Sequence, residues 1–133
     1  MNAEEKAVKA CANYVRLRME IKRLTSAIGE AIEYCPGVTG KRRRAETYGG
    51  TTFWHVDDRE PTHLKEAYSP DLQGFPPEAV YMEEADIREY LAVCPHCLAA
   101  HNAIQARKAA RKSLGAAKRA ITMIGRRALH QAE

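Results

Sequence analysis

Cys94-Pro95-His96-Cys97-Leu98-Ala99-Ala100-His101 is the stretch whose reading decides the fold. Two cysteines with two residues between them, the first followed by proline, form a tight knuckle that aims both sulfurs at one point. If a helix begins near Cys97, His101 lies one turn further along the same face, because i and i+4 side chains stack on a helix. That makes three metal ligands, and a tetrahedral zinc site needs a fourth. Cys35, also followed by proline, is the leading choice. The expected set is therefore Cys35, Cys94, Cys97 and His101, with His96, His55 or His63 as alternatives for the imidazole. Three thiolates and one imidazole leave no position for water, so such a zinc is structural. The remaining cysteine, Cys11, falls away from the site and reads as a free thiol.

Working outward, the knuckle sits between two helical patterns. Residues 3–34 read as one helix: Asn2 can cap it, Glu4 and Glu5 suit the positive end of the helix dipole, and Pro36-Gly37 stops it. Ala3, Ala7, Ala10, Tyr14, Leu17, Ile21, Leu24, Ile28 and Ala31 step by four and three, a heptad seam for a lengthwise partner. A second helix is expected over 97–130. Its stripe runs Ala99, Ala103, Ala106, Ala110, Leu114, Ala117, Ile121, Ile124 and Ala128, with one stutter between Ala110 and Leu114. With Cys35 beside Cys97 and the helices antiparallel, Ile28 falls near Ala103, Leu17 near Leu114, and Ala7 near Ile124. Large residues meet small ones at both ends, which permits close approach. The expected fold is mainly α: an antiparallel, coiled-coil-like two-helix hairpin closed by a structural zinc, one domain over 1–133. The same seam could instead pair two copies as a homodimer.

The insert, 36–93, is irregular. Residues 41–48 and 51–56 flank Gly49-Gly50 and suggest a small β-hairpin, with Phe53 or Trp54 packing on the helices. Residues 57–80, carrying Pro61, Pro70, Pro76 and Pro77, read as a loop. Glu83 to Leu91 reads as a short acidic helix leading into the knuckle.

Charge is polarised. The chain has 21 Lys and Arg against 17 Asp and Glu, a formal net charge of +4. Within 107–130 lie eight Lys or Arg and no acid, whereas 57–89 carry ten acids against three bases. On a helix the basic residues occupy the flank opposite the apolar stripe. Arg107, Arg111, Lys118, Arg119 and Arg126, extended by Arg42 and Arg43, are therefore candidate phosphate contacts for DNA or RNA. Aromatics for stacking on single strands are scarce outside Tyr48, Phe53 and Trp54.

No apolar run long enough to span a membrane occurs and no signal-peptide core is evident, so a cytoplasmic protein is expected. In a reducing compartment four cysteines favour metal over disulfides. Catalysis is not expected. His55, Asp57, Asp58 and His63 are the nearest thing to a metal-dependent nuclease cluster, but the accompanying helix with a second ligand in register is missing.

The knuckle with His101, followed by the Ala/Arg/Lys-rich run through Gly125-Arg126-Arg127, resembles small zinc-knuckle proteins encoded by bacteriophages, most without assigned function. The resemblance covers about a third of the chain. It implies an accessory role in the host cytoplasm (host takeover, anti-defence or handling of phage DNA) and identifies no catalytic residue. The expected function is non-enzymatic binding of a host protein or protein–nucleic-acid assembly, by a monomer or homodimer. Direct DNA or RNA binding is the alternative and a metal-dependent nuclease the minor one.

Overall fold

A computed structural model describes residues 1–42, 46–53 and 60–132, and the protein is mainly helical. In chain order the elements are α1 (Ala3–Glu33), β1 (Glu46–Tyr48), β2 (Thr51–Phe53), α2 (His63–Tyr68), β3 (Asp71–Gln73), β4 (Glu78–Val80), α3 (Glu84–Leu91) and α4 (Pro95–Ala132). The strands form two separate two-stranded antiparallel sheets, β1 with β2 and β3 with β4. Among the described residues, no helix is long and apolar enough to cross a membrane.

The local chemistry explains the helix ends. Asn2 Oδ1 accepts the Glu5 N–H at 2.8 Å, and Glu4 and Glu5 occupy the first turn of α1, satisfying donors that would otherwise lack partners. At the other end, Cys35 N–H donates to the Ile32 carbonyl, which also accepts from the Arg42 guanidinium at 3.0 Å. Pro95 opens α4 at the first helical position, where its missing N–H costs nothing. The helix therefore begins two residues ahead of the expected start. The acidic helix appears as α3, with Glu83 preceding it.

Residues 57–80, read from sequence as loop, contain two elements. In α2, Thr62 Oγ1 accepts the Lys65 N–H at 3.1 Å and Leu64 and Ala67 are buried. The second is the β3–β4 hairpin, which turns through Gly74 with φ of 86°. The β1–β2 hairpin lies where expected but is shorter. Trp54, His55, Val56, Asp57, Asp58 and Arg43 lie outside the described residues, and so does any packing of the Phe53 or Trp54 side chains.

The chain divides into two compact units: residues 27–102 form one, and residues 1–26 with 103–133 form the other. In the 27–102 unit, α2 packs on α3, and Ile28, Leu64, Ala67, Leu91, Ala100, Cys35, Cys94 and Cys97 are buried, as is His101. In the other unit, burial follows the two apolar stripes except at Ala3, Ala106 and Ala128, which are exposed. Leu17, Leu24, Ala110 and Ala117 are buried, and Ala7, Tyr14, Ile21, Leu114, Ile121 and Ile124 are half-buried.

Candidate metal centre

Each cysteine is fixed by the backbone around it. Cys94 stands immediately before α4, and its Sγ accepts the Cys97 N–H at 3.5 Å. The sulfur thus takes the place that a serine or aspartate oxygen takes at a helix start. Cys97 lies in the first turn. Cys35 follows the end of α1, and its Sγ accepts the Gly37 N–H at 3.4 Å. That bond needs the backbone to reverse at Gly37, whose φ is 86°; a Cβ there would also lie 2.4 Å from Glu60 Cγ, so only glycine fits. The reversal is held by Val38 N–H on the Pro61 carbonyl and by the Thr39 hydroxyl on Glu60, 2.7 Å away. These contacts carry the chain after α1 to the start of α2.

His63 is the first residue of α2, and its Nδ1 lies 3.3 Å from Cys35 Sγ. The ligand atoms of Cys35, His63, Cys94 and Cys97 all lie within 4.8 Å of one another. All four cysteines of the chain are free thiols, so no disulfide competes for the sulfurs. Three sulfurs and one imidazole nitrogen suit a soft or borderline divalent ion. Zinc–sulfur bonds of about 2.3 Å imply tetrahedral edges of roughly 3.8 Å, within a small contraction of this cluster. These four side chains can hold one metal ion.

The electrostatics agree with that chemistry. Burial opposes ionisation of Cys35, but hydrogen bonds from the His63 and Gly37 backbone, the His63 ring and Cys97 outweigh it and lower its thiol pKa. Cys97 is pushed up by burial and by its hydrogen bond to Cys35. The Cys35 thiol is thus lowered and that of its neighbour Cys97 raised. A divalent ion reverses the second effect, since a coordinating thiol is held as thiolate. Burial, followed by the charges of Glu66, Cys97 and Cys35, raises Tyr90, whose ring lies 6.3 Å from that of His63.

Three of the four expected ligands are brought together; His101 is not among them. The i, i+4 argument holds in that His101 is on α4 and fully buried. Both of its ring nitrogens, however, are taken by other helices. Nδ1 is 2.5 Å from the Tyr68 hydroxyl of α2 and Nε2 is 2.8 Å from Glu84 Oε1 of α3. An ionised carboxylate can only accept, so Nε2–H donates to Glu84. Glu84 also accepts from Arg88 at 2.8 Å, and Arg88 reaches Asn102. The bond to His101 comes first among the effects that lower the Glu84 pKa. His101 therefore ties α2 and α3 to α4, and α2 supplies His63 to the ligand set. The available signal was Pro61-Thr62 ahead of Leu64 and Ala67, a capped helical turn inside a proline-rich stretch. His96, the other alternative, stacks on Tyr34 at 5.7 Å.

Of the expected phosphate contacts, Arg111, Lys118, Arg119 and Arg126 are exposed on α4. Arg107 is half-buried and donates to Thr25 Oγ1 at 3.2 Å. Arg42 is engaged at the end of α1, as described above.

No family model, no curated protein sequence and no solved structure matches the chain.

Proposed function

We propose that this chain is a zinc-clipped, non-enzymatic binding protein whose exposed basic helix face grips an anionic macromolecule, DNA or RNA in the first place. The observation that carries this reading is the separation of charge between the two units. Residues 1–26 and 103–133 hold fourteen Lys or Arg against four Asp or Glu, a formal +10, and residues 27–102 hold seven against thirteen, a formal −6. Among the described residues, no ion pair engages Lys108, Arg111, Lys112, Lys118, Arg119, Arg126 or Arg127. Phosphate backbones bind such a surface by releasing counterions.

In this reading zinc occupies Cys35, His63, Cys94 and Cys97 as a closed, structural site. It joins the end of α1, the start of α2 and the start of α4. Segments 3–26 and 103–132 pack as an antiparallel pair. Support comes from the Arg107–Thr25 bond and from a cavity lined by Ala3, Ala7, Ile124 and Ala128, all consistent with residue i facing a residue near 131 − i.

A second reading has its own observation. The β3–β4 hairpin and the chain after it expose Leu72, Phe75, Val80, Tyr81 and Met82 beside Asp71, Glu78 and Glu83. This ordered, apolar and acidic projection suits a protein partner, as a phage-type accessory factor bound to a host protein would require.

The test is retention of labelled DNA and RNA by the metal-loaded protein at two salt concentrations. Replacing Arg111, Lys118 and Arg126 with glutamine should weaken binding at low salt. It should also flatten the salt dependence by about 0.9 in log–log slope for each phosphate no longer neutralised. Unchanged retention would leave the basic face as a solvated surface and favour the protein partner.

A further inference from the structure

The apolar seam of α1 is not its only stripe. On nearly the opposite face, about 160° away at 100° per residue, Val8, Ala12, Val15 and Met19 succeed one another, flanked by the exposed thiol of Cys11. Val8 is 66% exposed, Val15 52% and Met19 67%. Together with Arg16 these side chains line one shallow groove along the helix. A helix that is apolar on two opposite faces has two surfaces to cover. The seam accounts for one of them, since its residues from Ala7 onward are buried or half-buried.

The charges beside the second stripe say what covers it. Glu4 and Lys22 lie on one edge of the stripe and Glu5 and Arg23 on the other, these four placing acids at the N-terminal end and bases at the C-terminal end, with Arg23 also bridging to Glu20 of its own helix. All four are exposed. An isologous antiparallel contact keeps each edge facing the same edge of the second helix and reverses the ends. Glu4 then meets Lys22 of a second copy, and Glu5 meets its Arg23. In that register Val8 faces Met19 and Ala12 faces Val15, a large residue set against a smaller one at each level. Residues 4–23 would be in contact over about 30 Å. A parallel pairing would set acid on acid and base on base.

We propose that this stripe is the contact face of a homodimer, α1 packed antiparallel against α1 of a second copy. The inference is independent of the metal and nucleic-acid readings, and it uses a different face from the seam.

Sedimentation equilibrium of the full-length, metal-loaded chain tests it across micromolar to several hundred micromolar protein. The wild type should dimerise within that range. Val15→Glu with Met19→Glu should give a monomer whose helical circular dichroism is unchanged, the seam being untouched. Glu4→Lys with Glu5→Lys, and separately Lys22→Glu with Arg23→Glu, should each weaken self-association at least tenfold. An equimolar mixture of those two variants should form a heterodimer, because its opposed edges again carry opposite charge. A wild type that stays monomeric throughout overturns the proposal. So does a dimer indifferent to the stripe substitutions, which would place the contact elsewhere, or a mixture that gains nothing over its components.

Discussion

Each of the two compact units is held together internally, and in opposite ways. Residues 27–102 are joined by polar bonds between points far apart in sequence. Cys35 meets His63, Tyr68 and Glu84 meet His101, and Thr39 meets Glu60. The apolar core there is small: Ile28, Leu64, Ala67, Leu91 and Ala100 are buried with three cysteines. Residues 1–26 and 103–133 instead share a repeating seam in which Leu and Ala are buried and Ile half-buried, and Arg107 bonds Thr25. A seam tolerates damage at one level because its neighbours persist. A small core clipped by four donors does not, since such units lean on metal or disulfides for stability.

The largest expected effect follows. Cys97→Ser, or a strong chelator, should take bound metal from one ion per chain to none. Structural zinc contributes about 10 kcal/mol or more in small domains, comparable to the whole stability of a domain. The 27–102 unit should therefore lose its cooperative melting transition and its amide-exchange protection, while seam amides such as Leu17 and Ala117 keep measurable protection. Uniform loss of protection would mean that the units are not separately held.

The two histidines sharpen the same contrast. His63→Ala removes a ligand and should lower metal affinity at least a hundredfold in a competition titration. His101→Ala should leave metal stoichiometry intact and destabilise by about 2–4 kcal/mol, through a cavity and the loss of the bonds from its ring to Tyr68 and Glu84. The opposite order would return His101 to the ligand set. In the other unit, Leu17→Ala should cost about 2–3 kcal/mol by denaturant melting and leave metal content unchanged.

The smallest effect concerns Glu84. Its carboxyl is held below the ordinary value chiefly by His101, so its stabilising contribution is present above the unfolded carboxylate range and lost as pH falls through the lower folded value. The melting difference between wild type and Glu84→Gln should accordingly shrink on acidification. A difference that grew would refute the sign.

Much of this architecture was legible in the sequence, for identifiable reasons. The seams of both long helices, the cap at Asn2, the stop at Pro36 and the acidic helix before the knuckle are all local periodicity and capping. So is the pairing of Cys94 with Cys97. Cys35 was legible because Pro36-Gly37 forces the helix to end beside it. What stayed hidden was tertiary competition for imidazoles. Spacing places His101 on the face of Cys97, but it cannot say that Tyr68 and Glu84 will take both ring nitrogens. Nor does spacing choose His63, one of the three alternatives, over His101; that choice follows from the short helix that Thr62 caps. The polarity of charge was legible too, as the basic run 107–130 and the acidic run 57–89, but not that residues 1–26 share a unit with the basic run.

The most direct test of the metal centre is X-ray absorption spectroscopy on the zinc-loaded full-length chain, beside its His63→Ala and His101→Ala variants. The expected first shell is three sulfurs at about 2.3 Å and one nitrogen at about 2.0 Å. It should be unchanged by His101→Ala and should lose the nitrogen with His63→Ala. A shell with fewer than three sulfurs, or one that responds to His101 and not to His63, would contradict the site assigned to Cys35, His63, Cys94 and Cys97.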